Sequence, residues 1–422
     1  MTRAAAVLRQ GGSAVQVAGS QLGLALSNYA VLAVAARHLD AAGFVAISSY
    51  YLLVNTVGRG LFAAVELEAT RAVAEAGAAG LDDGPARRAA LRHTGLLLVG
   101  AFVLLGVSSP LISGIMGSGF SVIALLALGA AGMASSYLLR GPLAGQRRYG
   151  LYAATFWIEA GIGIVGALVL VLLGDSTATM WIAVVALAPL VAAAVVARPA
   201  LSGGPAGAPA PVPGSARPGS TTRAVVWSAA LLLAGQGLWN LAPVAVTSRL
   251  TDAPAVAAGF FAAAVIIRAP VLFFPSVQAL LLPMFTAMAT TGDATGVRRT
   301  TRLLGAFMLV AGTVWVAAAV FVVPLVGELV FKAGTPPPTW VLVLLAASTV
   351  IGAVAQIGQT HLIALRRPAA AALAWIAGLV VLLAVALLAV PPLTAAAEGQ
   401  LIGAGVVLVV LTLVRRRHRA QT

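Results

Sequence analysis

Twelve long apolar runs follow one another along this chain, at 12–36, 41–65, 94–116, 119–140, 151–173, 179–197, 224–247, 254–283, 302–326, 338–365, 368–390 and 399–414. A helix of about 20 residues crosses a ~30 Å hydrocarbon core. Inside that core no water satisfies backbone N–H and C=O groups, so only helices and closed barrels can span it, and runs this long are helical. The expected fold class is an all-α polytopic membrane protein with about twelve transmembrane helices. At 60% hydrophobic and 9% charged residues, the chain has too few charges to clothe a soluble surface, for which ~25% charged is usual.

The net charge of +14 invites a nucleic-acid partner, and its distribution rejects one. With the N-terminus inside, 21 of the 26 basic residues fall in cytoplasmic segments; Arg37, Arg249 and Lys332 fall outside, and Arg59 and Arg268 fall within spans. This is the positive-inside bias, and it places both termini in the cytoplasm. The closing Arg415-Arg416-Arg417-His418-Arg419 then reads as a stop-transfer anchor, with a lipid-headgroup site as the alternative. The first run, starting near Gly11, is too long for a signal-peptide core and reads as a retained span.

A tandem repeat divides the spans. Asn28 to Asp40 (NYAVLAVAARHLD) and Asn240 to Asp252 (NLAPVAVTSRLTD) share Asn, then Arg, then Asp at the same spacing, 212 residues apart. The match resumes at Gly43-Phe44 and Gly259-Phe260, with four extra residues in the second copy. Between the sixth and seventh runs, Pro199 to Thr222 holds six Pro and five Gly in 24 residues, a flexible or polyproline-like linker. The expected organisation is a bundle over 1–198, a cytoplasmic linker over 199–222 and a second bundle over 223–422. Each bundle has six helices, an even number, so the two share one orientation, related by a pseudo-twofold along the membrane normal. Duplicated bundles of this kind typically hold a substrate site at their interface, and transporters are often built so. The outer loops are short. The largest cytoplasmic loop, Glu66 to His93, begins as a helix, turns at Leu81 to Pro85, and otherwise reads as a solvated connector.

Several chemistries are absent. There is no cysteine, the lone lysine is Lys332, and no P-loop can be written around it. His38, His93, His361 and His418 keep no metal-ligand spacing, and neither H-E-x-x-H nor G-x-S-x-G occurs. The reading is a protein without cofactor or metal, and not an enzyme.

Charges within hydrocarbon cost ~2.5–3.5 kcal/mol on insertion scales and by default face a cavity or a partner. Arg59, late in the second span, and Arg268, near the middle of the eighth, therefore point to a cavity with one cation from each half. Guanidinium groups pair with phosphate oxygens through bidentate hydrogen bonds, so an anionic substrate is implied. Arg59 has an alternative, snorkelling to the headgroups or pairing with Glu66. Arg37/Asp40 and Arg249/Asp252 read either as ion pairs around a helix N-cap or as an outer mouth lined by Arg37 and Arg249. Gln21, Asn28, Gln236 and Asn240 are cavity hydrogen bonders or interhelical contacts. Glu159 takes up a coupling proton or cation, or pairs with a nearby arginine. Gln356, Gln359 and His361 make the tenth span polar, and Pro243, Pro270 and Pro275 bend the seventh and eighth.

Three features together resemble one known family: the duplicated Asn/Arg/Asp pattern ending spans one and seven, the Arg140 to Tyr149 segment (RGPLAGQRRY), and Pro283-Met284-Phe285. The chain looks like the polysaccharide-flippase branch of the multidrug/oligosaccharidyl-lipid/polysaccharide (MOP) exporter superfamily. That resemblance implies a V-shaped bundle in a bacterial plasma (inner) membrane. It implies alternating access that moves a polyprenyl-pyrophosphate-linked saccharide to the outer leaflet for cell-surface polysaccharide biosynthesis. The partners implied are the lipid-linked saccharide, membrane lipids and other polysaccharide assembly proteins. The peptidoglycan-precursor branch usually carries two further helices, which counts against it here. A cation-coupled multidrug antiporter of the same superfamily and a non-transporting scaffold of a polysaccharide assembly complex are the alternatives.

Overall fold

The computed structural model describes residues 3–116, 120–202, 222–274, 278, 281, 284–285, 288, 294–332, 334–365, 367–388 and 391–419. Among these, twelve helices are long and apolar enough to cross a membrane, and each overlaps one of the expected runs. In chain order α1 is Arg3–His38 and α2 is Ala41–Val57, continued through a π-helical turn, Gly58–Phe62, into Ala63–Ala78. Then come α3 Gly84–Met116, α4 Phe120–Gly145, α5 Tyr149–Leu173 and α6 Ala178–Ser202. The second series is α7 Thr222–Arg249, α8 Pro254–Ile267 with a 3-10 turn at Ala269–Phe273, and α9 Ala294–Val326 with a π-helical turn at Gly327–Phe331. It closes with α10 Thr339–Ala364, α11 Pro368–Leu388 and α12 Pro392–Arg419. Pro254, Pro368 and Pro392 each open a helix, where the missing N–H costs nothing and the fixed φ suits the first turn.

The helices gather into two compact units, one of residues 1–39 and 53–229 and one of residues 40–52 and 230–422. Within the first unit α4 packs on α2, α3 and α6, α5 packs on α6, and α1 packs on α5. Within the second, α10 packs on α9 and α12, and α11 packs on α12. The pairs α3·α4, α4·α6 and α5·α6 thus recur as α9·α10, α10·α12 and α11·α12, six positions on. Of the expected linker, residues 199–202 are helical and 203–221 lie outside the described residues. Arg148 holds the end of α6, donating from its guanidinium to the carbonyls of Ala200 at 2.8 Å and Pro199 at 2.6 Å. A cation on the last carbonyls of a helix satisfies orphan acceptors and complements the helix dipole.

Three expectations change. The segment after Glu66 begins as a helix, as expected, but it is the continuation of α2, with Ala69 and Val73 buried, and not a solvated connector; only residues 79–83 form the turn. The last span is not short, because it starts at Pro392 and buries Ala395, Ala396, Ala397 and Gln400. The eighth helix leaves α geometry after Ile267, with Arg268 at the break and Pro270 in the 3-10 turn, and Phe274 is helical again. Pro275 and Pro283 lie outside the described residues.

The repeated residues have structural work in the second unit. Asp40 caps α2 by accepting the Gly43 N–H at 2.8 Å, as expected of an Asp before a helix. Gly259, the second copy of that glycine, faces the backbone of Thr335, and a Cβ there would run into the Thr335 carbonyl. Gly334 meets the Ala255 carbonyl in the same way and has φ +59°, which suits glycine. Phe44 packs edge-on to Phe261 at 5.6 Å between ring centroids, a favoured aromatic geometry.

Candidate functional site

In the first unit the polar residues converge on Arg140. Its side chain is 2% exposed inside α4. Nη2 donates to Glu159 Oε2 at 2.8 Å, Nε donates to Thr155 Oγ1 at 2.8 Å, and the guanidinium carbon lies 3.8 Å from the centre of the Phe156 ring. Thr155 in turn donates to the Tyr152 carbonyl at 2.7 Å. One turn earlier on α5, the Tyr152 hydroxyl donates to Glu66 Oε1 on α2 at 2.8 Å and accepts from Gln21 Nε2 on α1 at 3.3 Å. Four helices of one unit are therefore tied by a buried network containing one guanidinium and two carboxylates. Tyr137 of α4 lies with its ring 5.5 Å from the Arg140 guanidinium and packs in one cluster with Leu61 and Phe62, the neighbours of Arg59 in sequence. Arg59 itself occupies the π-helical turn of α2, whose Phe62 packs with Met133 and Ala134 of α4. Such turns insert an extra residue and are frequent at functional sites.

Of the two roles open to Glu159, the pair with arginine is what the geometry displays: Arg140 neutralises it at 2.8 Å. Arg140 itself was legible only as one of the cytoplasmic loop cations. It lies instead within the helix, because α4 continues through Pro142 to Gly145. A signal existed. In a tight antiparallel hairpin Arg140 lies about 8 Å and Glu159 about 15 Å from the connection, at 1.5 Å per residue. The reach of an arginine side chain spans that offset. Tyr152 and Thr155 carried no such mark, and Glu66 stood out only as a partner for Arg59.

In the second unit Arg268 is half-buried at the end of α8. Its Nη1 donates to the Trp239 carbonyl of α7 at 3.0 Å. That acceptor has a cause. Pro243 lies inside α7 and lacks the N–H that would bond the carbonyl four residues earlier. The orphan is Trp239. Next to it, Trp315 Nε1 of α9 donates to the Ile267 carbonyl at 3.1 Å, covering an acceptor where α8 breaks. Both arginines expected within spans thus lie where their helix leaves α geometry.

The remaining expected site residues are scattered. Asn240 is buried, with Nδ2 at 3.5 Å from both the Leu52 carbonyl and Gln236 Oε1, long contacts that join α7 to the start of α2. Arg249 is half-buried and donates to the Ala386 carbonyl of α11 at 2.9 Å. Arg37 is exposed at the end of α1, and Asn28 is half-buried on the same helix. Gln359 and His361 are buried, His361 packing edge-on to Phe285 at 5.4 Å.

No protein-family model matches the chain. Uncharacterised proteins of Mycobacterium bovis and Mycobacterium tuberculosis are 33% identical over 161 residues, which is 37% of this chain and 36% of each relative. The match thus spans about a third of the length of those curated relatives. The solved structures decide the fold. It is the MATE transporter fold. An inward-facing multidrug resistance MATE family transporter of the MOP superfamily superposes with TM-score 0.70 at 14% identity, over 96% of this chain and 98% of that one. A mutant of the Vibrio cholerae MATE transporter VcmN gives 0.61 at 15% identity, over 96% and 97%. The lipid II flippase MurJ, inward closed, gives 0.57 at 11% identity, over 96% and 87%. The same fold therefore serves a multidrug transporter and a lipid flippase.

Proposed function

We propose that this chain is a cofactor-free membrane transporter that flips an anionic, polyprenyl-pyrophosphate-linked saccharide from the cytoplasmic to the outer leaflet of a bacterial plasma membrane, in cell-surface polysaccharide biosynthesis. The observation that carries this reading is the position of Arg59 and Arg268, one in each unit, each in a helix long and apolar enough to cross a membrane and each where that helix leaves α geometry. Cations are retained at such cost for a ligand or a partner. Their planar donors match the oxygens of a pyrophosphate better than those of a cationic drug. In this reading the two six-helix halves, joined through 199–222, alternate access, and both termini are cytoplasmic. Gln21, Asn28, Gln236 and Asn240 supply sugar hydrogen bonds, and Arg37 and Arg249 lie toward the outer face.

A second reading, a cation-coupled drug antiporter, draws on the carboxylates of the first unit. Glu66 is held by Tyr152, which Gln21 also contacts. That is a more fitting coupling acid than Glu159, which Arg140 already neutralises. Depleting the protein and extracting lipids for mass spectrometry separates the two. Build-up of a polyprenyl-linked saccharide on the cytoplasmic leaflet is expected, and Arg59→Ala and Arg268→Ala should reproduce it at normal protein level. No build-up, with new sensitivity to cationic drugs, would transfer the function to the antiporter. Neither effect from either variant would leave a scaffold.

A further inference from the structure

At one end of the second unit, α9 and α12 present matching faces. Arg298, Thr301 and Arg302 share one face of α9 at i, i+3 and i+4, and Thr412, Arg415 and Arg416 share one face of α12 at the same spacing. These six residues line a cavity of about 400 Å³, within the roughly 300–1,000 Å³ of small-molecule sites. Among the described residues no Asp or Glu lines it.

The two threonines spend their hydroxyl protons within their own helices. Thr301 Oγ1 donates to the Val297 carbonyl at 2.8 Å and Thr412 Oγ1 to the Leu408 carbonyl at 2.7 Å. Their oxygens are left as acceptors, and Thr301 uses its own to take Arg415 Nη2 at 3.2 Å, which ties the two helices together. On α10, which packs on both helices, Gly358 faces the same guanidinium: a Cβ there would lie 3.6 Å from Arg415 Nη1, in ordinary contact. The wall of the cavity is therefore guanidinium.

Four like charges around one cavity repel each other, and more strongly beside a low-dielectric bilayer than in water. An anion that accepts from several of them removes that repulsion and gains charge-assisted hydrogen bonds. Basic pockets between transmembrane helices are a recurrent way of holding phosphate headgroups. The positive-inside bias puts this end of the chain at the cytoplasmic surface, where anionic headgroups are plentiful.

We infer that Arg298, Arg302, Arg415 and Arg416 form a phosphate-binding site whose ligand is a phosphate monoester or diester, carried by an anionic phospholipid headgroup or by a soluble phosphorylated molecule. Neither Arg59 nor Arg268 lines this cavity, so the inference stands or falls independently of the transported substrate. A mere excess of interfacial cations would act through charge alone. Arg299 tests that, since it is exposed on the same helix and does not line the cavity.

The experiment is native mass spectrometry of the purified full-length protein with phosphatidylglycerol, phosphatidylcholine or glycerol phosphate. Retention of phosphatidylglycerol and not of phosphatidylcholine is expected. The pairs Arg298→Gln with Arg302→Gln, and Arg415→Gln with Arg416→Gln, should each weaken retention about tenfold or more, the scale of losing hydrogen bonds to a charged group. Arg299→Gln should bind as the unchanged protein does. Glycerol phosphate that binds alone, or displaces the lipid at equal concentration, would assign a soluble ligand; failure to do so assigns the lipid. Arg302→Gln and Arg416→Gln singly, both at exposed side chains, give the same reading should a pair fail to fold. The inference is overturned if neither phosphate probe binds, if the variants bind unchanged, or if Arg299→Gln loses as much as Arg302→Gln.

Discussion

The pairing of Pro243 with Arg268 makes a quantitative prediction. Pro243 leaves the Trp239 carbonyl without its helical donor, and Arg268 Nη1 supplies one at 3.0 Å. Replacing Arg268 by Met mixes two effects of opposite sign. It strands a buried carbonyl, at about 1–3 kcal/mol, and it removes a charge that costs ~2.5–3.5 kcal/mol to place at mid-membrane. The single variant therefore says little about the contact. Pro243→Ala restores an N–H that can close the helical bond to Trp239, so in that background Arg268→Met no longer strands that carbonyl, while its other effects are unchanged. The difference between the two costs isolates the contact. A charged donor gives ~1.5–3 kcal/mol in soluble proteins, but interhelical bonds in membranes average ~0.6 and reach ~1.7 kcal/mol, because the unfolded chain also finds partners. A coupling of about 1.5 kcal/mol is expected, at the upper end for a guanidinium donor. The assay is reversible unfolding in mixed micelles, followed by the fluorescence of the seven tryptophans. Coupling below about 0.5 kcal/mol, the ordinary scatter of additivity, would refute the idea that the arginine stands in for the proline's missing donor.

Three further outcomes can be checked by the same unfolding measurement. Arg140→Met should destabilise the first unit by about 3–5 kcal/mol, because it leaves Glu159 buried and uncompensated. Adding Glu159→Leu should recover most of that loss; no recovery would mean that Arg140 acts through its contacts with Thr155 and Phe156. Gly259→Val should cost about 2 kcal/mol or more through overlap with the Thr335 carbonyl, whereas Gly19→Val, with open space around it, should show no overlap penalty. Arg148→Gln should lower stability by about 1–2 kcal/mol, since it uncovers the last carbonyls of α6.

The twelve spans, the all-helical class and the tandem repeat were determined by the sequence alone. These rest on local physics: hydrocarbon admits only internally bonded backbone, so a long apolar run is a helix whatever surrounds it. The cost of intramembrane charge likewise marked Arg59, Arg268 and Glu159 before any packing was known. Tertiary structure decided what Arg268 and Glu159 are bonded to, because partners on different helices are set by rotation and register, which hydropathy does not encode. Arg140 looked like a loop cation until α4 was seen to continue past it and bury it against Glu159. Pro243 could be read only as a bend, and the fold shows Arg268 on the carbonyl it frees. The arginines of 415–419 read as an anchor or a headgroup site, and only the fold brings Arg298 and Arg302, more than a hundred residues earlier, to line one cavity with Arg415 and Arg416.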